Sequence, residues 1–165
     1  MLVAPTVFFA ALLGPCLYAA WSDLKTMTIP NRVVLLCLAL YIVLGPFLLS
    51  FEAYLWRFVP ALIALLVGFV LHMLGQFGAG DAKFASVLLL FVPLKDMTTL
   101  LWLYAVITLI SVATLFLIRL AAPRWAAKSG LKSFRERRVF PLGLPLALTA
   151  LAYQIVALLP YLTRS

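Results

Sequence analysis

Apolar residues fall into six segments that are separated by short polar turns and by one longer polar stretch. The segments cover residues 2–20, 33–50, 54–74, 84–92, 97–120 and 142–162. A helix needs about 20 residues to cross the hydrocarbon core of a bilayer, which is about 30 Å thick. Five segments approach that length, whereas the fourth is short and stops at Pro93. The pattern predicts an all-α, polytopic transmembrane helical bundle of six spans, with the short fourth helix packed inside the bundle or beside a water-filled cavity.

The amino-acid composition supports a membrane protein. Of the 165 residues, 66% are hydrophobic and 11% are charged. Soluble domains have about half apolar residues and about a quarter charged residues, and a small soluble domain buries only about two-thirds of its surface. A bilayer accepts apolar side chains on the outside of a bundle. We therefore expect a single transmembrane domain over residues 1–165, with a basic cytoplasmic loop at about 121–140.

The placement of the cations predicts the orientation of the chain. The net charge is +8, and in the six-span arrangement ten of the 13 cations fall on one side. The three on the other side are Arg57, Lys95 and Arg164. Because positive loops stay in the cytoplasm, both termini are expected outside, and we do not expect a nucleic-acid partner. The first cation, Lys25, follows the first segment, which argues against a signal peptide.

Other polar features have simple interpretations. The basic loop is interpreted as a topology signal that lies on anionic lipid, and docking of a substrate or partner is the alternative. Cys16 and Cys37 lie in apolar segments without metal-ligand spacing, so we expect two buried apolar residues and no metal. His72, the only histidine, lies near the cytoplasmic end of the third segment. A packing or interfacial role is favoured for it, and contact with a functional site is the alternative.

Two of the five acidic residues stand apart from the rest. Glu52, Asp96 and Glu136 fall in predicted loops and are interpreted as solvated charges. Asp23 and Asp81 lie at the cytoplasmic edge of the predicted membrane region, where an ionisable group is a functional candidate. The alternative is that they are helix caps or topology charges.

Local sequence predicts how each aspartate is held. Pro30 keeps Ile29 out of the α region and can begin a helix, so Asp23 is expected at the end of helix one, before a tight return. Gly78 and Gly80 permit a close turn before the helix that Asp81 begins. Two carboxylates that share a site hold one proton between them, which suits water-mediated hydrolysis of an amide. The helix ends predict Asp81 as the base and Asp23 as the acid.

Two motifs give the aspartates a specific interpretation. Asp23 is followed by Ile-Pro-Asn at residues 29–31, and residues 78–83 read Gly-Ala-Gly-Asp-Ala-Lys. Together they resemble the type IV prepilin peptidase family, membrane aspartic peptidases with a GxGD motif. The segment Phe-Pro-Leu-Gly-Leu-Pro at residues 140–145 is similar to the family's Pro-rich approach to the last helix. The resemblance covers nearly the whole chain.

The resemblance implies an activity and a location. The catalytic residues would be Asp23 and Asp81, and no metal or cofactor is implied. The substrate-binding or orienting residues would be Asn31, Lys83, Gly78 and Gly80. The substrate would be a prepilin or pseudopilin precursor, cut on the cytoplasmic side of the bacterial inner membrane after a glycine that ends a basic leader.

The chain also departs from the longer members of that family. It has no cysteine-bearing insert, so it resembles the short form of Flp/Tad-type pilus systems, and we assign no methyltransferase activity. Presenilin-like GxGD peptidases are a weaker match, because Pro-Ala-Leu at residues 60–62 precedes the GxGD motif. A non-enzymatic membrane subunit or a small ion or proton transporter is the alternative from another class. The oligomeric state stays open.

Overall fold

A computed structural model describes residues 3–75, 77–122, 129–135 and 140–162 of the chain. The described residues form helices without strands, which confirms the predicted all-α class. A 3₁₀ turn, Leu94–Asp96, precedes α6. The helices are α1 (Val3–Thr26), α2 (Asn31–Leu48), α3 (Phe51–Trp56), α4 (Phe58–Met73), α5 (Ala79–Leu89), α6 (Met97–Ala121), α7 (Lys132–Arg135) and α8 (Gly143–Leu162).

Four helical stretches are long and apolar enough to cross a membrane. They are Ala4–Thr26, Asn31–Leu48, Phe51–Met73 and Leu94–Ala121. The chain is therefore a membrane protein. The helices that correspond to the fourth and sixth predicted spans are α5 and α8, and neither belongs to this set. The predicted count of six spans is not confirmed by helix length and composition.

The third predicted segment is interrupted near its beginning. The helical stretch starts at Phe51 rather than at residue 54, and Arg57 separates α3 from α4. Pro60 is the third residue of α4 and is buried. A proline has no N–H to donate to the carbonyl four residues earlier, so the hydrogen-bond ladder cannot run unbroken through this region. Proline is tolerated in the first turn of a helix, which places the break just before α4.

The core lies between α1 and its neighbours. Helix α1 packs most extensively against α8, α4 packs against α5, and α6 packs mainly against α8. Cys16 of α1 and Cys37 of α2 are fully buried in this core. The prediction that both cysteines are buried apolar residues is confirmed. Their side chains pack inside the bundle and do not contact its surroundings.

The short helix α5 is enclosed by the rest of the bundle, as predicted from its length. Its C-terminal end tightens into i→i−3 hydrogen bonds at residues 90–92, all of which are buried. The carbonyl of Leu90 accepts from Arg57 Nη1 at 3.4 Å, and the carbonyl of Phe91 accepts from Gln154 Nε2 at 3.2 Å. The last carbonyls of a helix have no partner within it. Side chains from α8 and from the α3–α4 junction satisfy them here.

Further polar groups surround the end of α5. The Tyr153 hydroxyl donates to Asp96 Oδ2 at 2.7 Å, and the Arg57 guanidinium lies 5.8 Å from the centroid of the Phe8 ring. Asp96 is half-buried, so its prediction as a solvated loop charge is wrong: the tyrosine of α8 reaches it. We call Arg57, Asp96, Tyr153 and Gln154 the distal polar layer, because α5 separates it from Asp81 by about 14 Å, nine residues of helix.

Candidate active site

Asp23 lies in the last turn of α1 and is 3% exposed. The helix ends after Thr26, where Met27 adopts a φ of 57° and its N–H donates to the Asp23 carbonyl at 2.8 Å. A left-handed residue just past a helix is a common way to satisfy a terminal carbonyl and to turn the chain. The predicted position of Asp23, at a helix end before a tight return, is confirmed.

Hydroxyl groups hold the turn between α1 and α2. Ser22 Oγ donates to the Thr28 carbonyl at 2.9 Å, and Thr26 Oγ1 donates to the Ser22 carbonyl at 2.8 Å. Pro30 has φ −64° and ψ 133° and precedes the first residue of α2, as predicted. The turn buries Ile29, whose side chain is 6% exposed. The Ile-Pro-Asn motif thus places an apolar side chain next to the carboxylate of Asp23.

Asp81 lies in the first turn of α5, as predicted, and the two glycines of its motif differ in what surrounds them. A Cβ atom at Gly78 would lie 2.5 Å from Asp81 Oδ2, so a side chain there would displace the carboxylate. A Cβ atom at Gly80 would lie 3.5 Å from the Ile29 carbonyl, an ordinary contact distance. Gly78 leaves room for Asp81, whereas Gly80 brings α5 next to the turn that follows α1.

The beginning of α8 completes the surroundings of Asp23. The Leu144 N–H donates to Asp23 Oδ2 at 3.0 Å, and the Gly143 N–H also interacts with this carboxylate. A Cβ atom at Gly143 would lie 2.9 Å from Asp23 Oδ2. The free N–H groups of a helix N-terminus stabilise an anion. Sequence reasoning noted the glycine between two prolines at residues 140–145 but assigned it no role.

The two carboxyl groups act on each other. Burial and the nearby charge of Asp23 raise the pKa of Asp81 to about 6. The two aspartates therefore interact within one site, and Asp81 keeps its proton up to a pH of about 6. Burial disfavours the anion on Asp23 as well, and the N–H groups of α8 partly offset this effect. Tyr104 of α6 also interacts electrostatically with Asp81, and no local motif pointed to it.

Comparison with known proteins fits this geometry. A family model described as the type IV leader peptidase family matches residues 10–120. The chain belongs to this family. The matched residues include both aspartate motifs, and they end before α8, the helix that binds Asp23. No curated protein and no solved structure matches the chain.

The other residues carried over from the leader peptidase motifs have exposed side chains. Asn31 is the first residue of α2, and Lys83 follows Asp81 on α5. Their orienting roles stay predictions. His72 is exposed, and its Nδ1 donates to the Phe77 carbonyl at 2.9 Å, which closes the turn before Gly78. Within the four described ranges, no three His, Cys, Asp or Glu side chains come together as a metal site requires.

Part of the basic loop of this leader peptidase is described. Helix α7 packs against α1, Ser133 within it is fully buried, and the Arg119 guanidinium donates to the Ser133 carbonyl. The loop is thereby attached to the helix that carries Asp23. The remaining charges of the loop lie outside the described residues: Arg124, Lys128, Glu136, Arg137 and Arg138.

Proposed function

We propose that this leader peptidase is an aspartic endopeptidase that cleaves prepilin or pseudopilin precursors after the glycine that ends a basic leader. The observation that carries the proposal is the pair of carboxyl groups from α1 and α5, which share one site. A buried pair of this kind holds one proton and one negative charge, the state that an aspartic peptidase needs before it attacks. Membership of the leader peptidase family supplies the substrate class.

The surroundings of each carboxyl group support a division of roles. Asp23, held as an anion by α8, takes a proton from water, and the water oxygen attacks the carbonyl carbon of the scissile peptide. Asp81, protonated, donates a hydrogen bond to the carbonyl oxygen, where negative charge develops. When the tetrahedral intermediate collapses, the C–N bond breaks and the leaving nitrogen receives the proton that Asp23 took from water. One water is consumed, and two chain ends are released.

The membrane arrangement is part of the proposal. We place the protein in the bacterial inner membrane with six spans, α5 being a short one, and with both termini outside. Exposed cations, Lys25, Arg32 and Lys83, lie near the aspartate pair in the chain, which favours a cytoplasmic site. The apolar helix of the precursor would lie beside the enzyme in the bilayer, and the basic loop would rest on anionic lipid. The resemblance to the short Flp/Tad-type form supports cleavage without methylation.

Co-expression with a pilin-like precursor tests the proposal. Cleavage of the leader is followed as a mobility shift, in wild type, Asp23→Ala and Asp81→Ala. Glu52→Gln is the matched control, because Glu52 is an exposed carboxyl group of α3. We expect cleavage by wild type and the control alone. Cleavage that persists in both aspartate variants would sink the peptidase assignment and favour a non-enzymatic subunit or a transporter.

A further inference from the structure

Helix α8 contributes two residues next to Asp23 that neither aspartate motif contains. We infer that Gly143 and Leu144 are positioning residues for the reaction: the Leu144 N–H holds the Asp23 carboxylate, and Gly143 leaves room for that hydrogen bond. The inference rests on the proposed function, and it deepens that proposal by explaining why Asp23 acts as the base.

The sequence at the start of α8 leaves few backbone donors free. The first N–H groups of a helix have no partner within it. Pro145 has no N–H, and the Leu146 N–H already donates to the Leu142 carbonyl at 3.2 Å. Gly143 and Leu144 therefore carry the free donors of the first turn, and both interact with Asp23.

Asp23 in turn needs these donors. Its side chain is 3% exposed, and a buried carboxylate without hydrogen-bond donors is strongly unfavourable. The helix start and the carboxylate thus satisfy each other across 121 residues of sequence. A hydrogen bond from an N-terminal N–H favours the charged form of the acceptor.

Glycine is the only residue type that fits at position 143 without displacing a neighbouring side chain. A Cβ atom there would lie 2.9 Å from Asp23 Oδ2, 3.0 Å from Asp23 Cγ and 2.7 Å from Ile29 Cδ1. The Ile29 methyl group is the far end of a flexible side chain and can move. The carboxylate cannot move away without weakening its hydrogen bond to Leu144, because that bond is 3.0 Å long.

The other charges near Asp23 act differently from α8. Asp81 of α5 carries the same charge when ionised and opposes the charge of Asp23. Tyr104 of α6 interacts with Asp81. Lys25, two residues further along α1, is exposed and its charge is screened by the surroundings. The donors of α8 favour the anion on Asp23 and partly offset the effect of its burial.

Removal of the Leu144 backbone N–H group in the full-length enzyme tests the inference. Leu144→Pro removes the donor N–H at the second position of α8, and its ring also occupies the space between that nitrogen and Asp23 Oδ2, whereas a backbone ester at residue 144 removes the N–H without adding a ring. Leu144→Ala, which keeps the N–H, is the matched control. The acidic limb of the pH–rate profile for leader cleavage is expected to move up by about one pH unit in Leu144→Pro, since a hydrogen bond to a charged group contributes about that much. Near the wild-type limb this is a loss of rate of about tenfold.

The outcomes separate this inference from the proposed function. In Leu144→Ala the limb is expected to stay at its wild-type position, whatever happens to the rate. A limb that stays in place in Leu144→Pro overturns the inference, although the peptidase assignment would stand. If Leu144→Pro does not accumulate in membranes, the backbone ester at residue 144, which keeps the leucine side chain, gives the same comparison. Cleavage by Asp23→Ala and Asp81→Ala would instead overturn the proposed function itself.

Discussion

Replacement of Gly78 by alanine displaces the Asp81 carboxyl group without removing any reacting group. The new Cβ atom would lie 2.5 Å from Asp81 Oδ2, whereas ordinary contacts begin at 3.4 Å, so the oxygen must shift by about 0.9 Å. Gly78 has φ −71° and ψ 134°, which alanine adopts without strain. The protein is therefore expected to fold, with a loss of at most about 1 kcal/mol from the weaker helix cap.

The catalytic effect of that shift is expected to be large. A displacement of about 1 Å at a reacting group can lower the rate by about a hundredfold. The measurement is kcat for leader cleavage by purified enzyme at saturating precursor, with thermal unfolding in the same detergent as a check on folding. The expected result is a fall in kcat of about two orders of magnitude at nearly unchanged Tm.

Gly80→Ala is the matched comparison. The same atom added two residues later meets the Ile29 carbonyl at 3.5 Å, and alanine stabilises a helix by about 0.5–1 kcal/mol relative to glycine. We expect this variant to keep most of its activity and to unfold at the wild-type temperature or above. Equal losses of kcat in Gly78→Ala and Gly80→Ala would refute the steric argument, because only one of the two positions is crowded.

Four further predictions concern the site and the distal polar layer. Cleavage is expected to decline as pH rises through about 6, because Asp81 then loses the proton it donates; a flat profile between pH 5 and about 7 contradicts this. Between about pH 4 and about 6 the folded state binds the proton of Asp81 more tightly than the unfolded chain does, so Tm should fall as pH rises through that range, and Asp81→Asn should reduce that slope. Gly143→Ala is expected to lower kcat by about a hundredfold through displacement of the Asp23 carboxylate, and wild-type kcat would contradict it. Gln154→Leu leaves the Phe91 carbonyl without its donor and should cost about 1–3 kcal/mol in thermal unfolding, more than Ile155→Ala at the exposed position beside it.

Local sequence predicted the parts of the site that depend on neighbouring residues. Pro30 sets the beginning of α2, and the glycine motif sets the turn before Asp81, because proline and glycine restrict or free the backbone where they stand. The apolar pattern also identified the short helix α5 and its enclosure. These features need no knowledge of which helices pack together.

The features that were missed depend on contacts between distant residues. The contact of Leu144 with Asp23 joins residues 121 positions apart, and no local rule predicts it. The proton was assigned to Asp23 from the helix ends that carry the two aspartates, and the contact of the Asp23 carboxylate with the N-terminus of a third helix was not predicted. Asp96 was taken as solvated for the same reason: its partner, Tyr153, belongs to a helix far along the chain.

The short helix α5 also constrains how the chain can vary. Both of its ends are fixed: Gly78 and Ile29 surround the first turn, and Arg57 and Gln154 hold the carbonyls that follow the last. One inserted residue would lengthen the helix by about 1.5 Å and rotate one end by about 100° relative to the other. Either the carboxyl group or the capped carbonyls would then lose their partners. The spacing between the GxGD motif and Pro93 is therefore a fixed length, and natural insertions should accumulate in loops rather than in this helix.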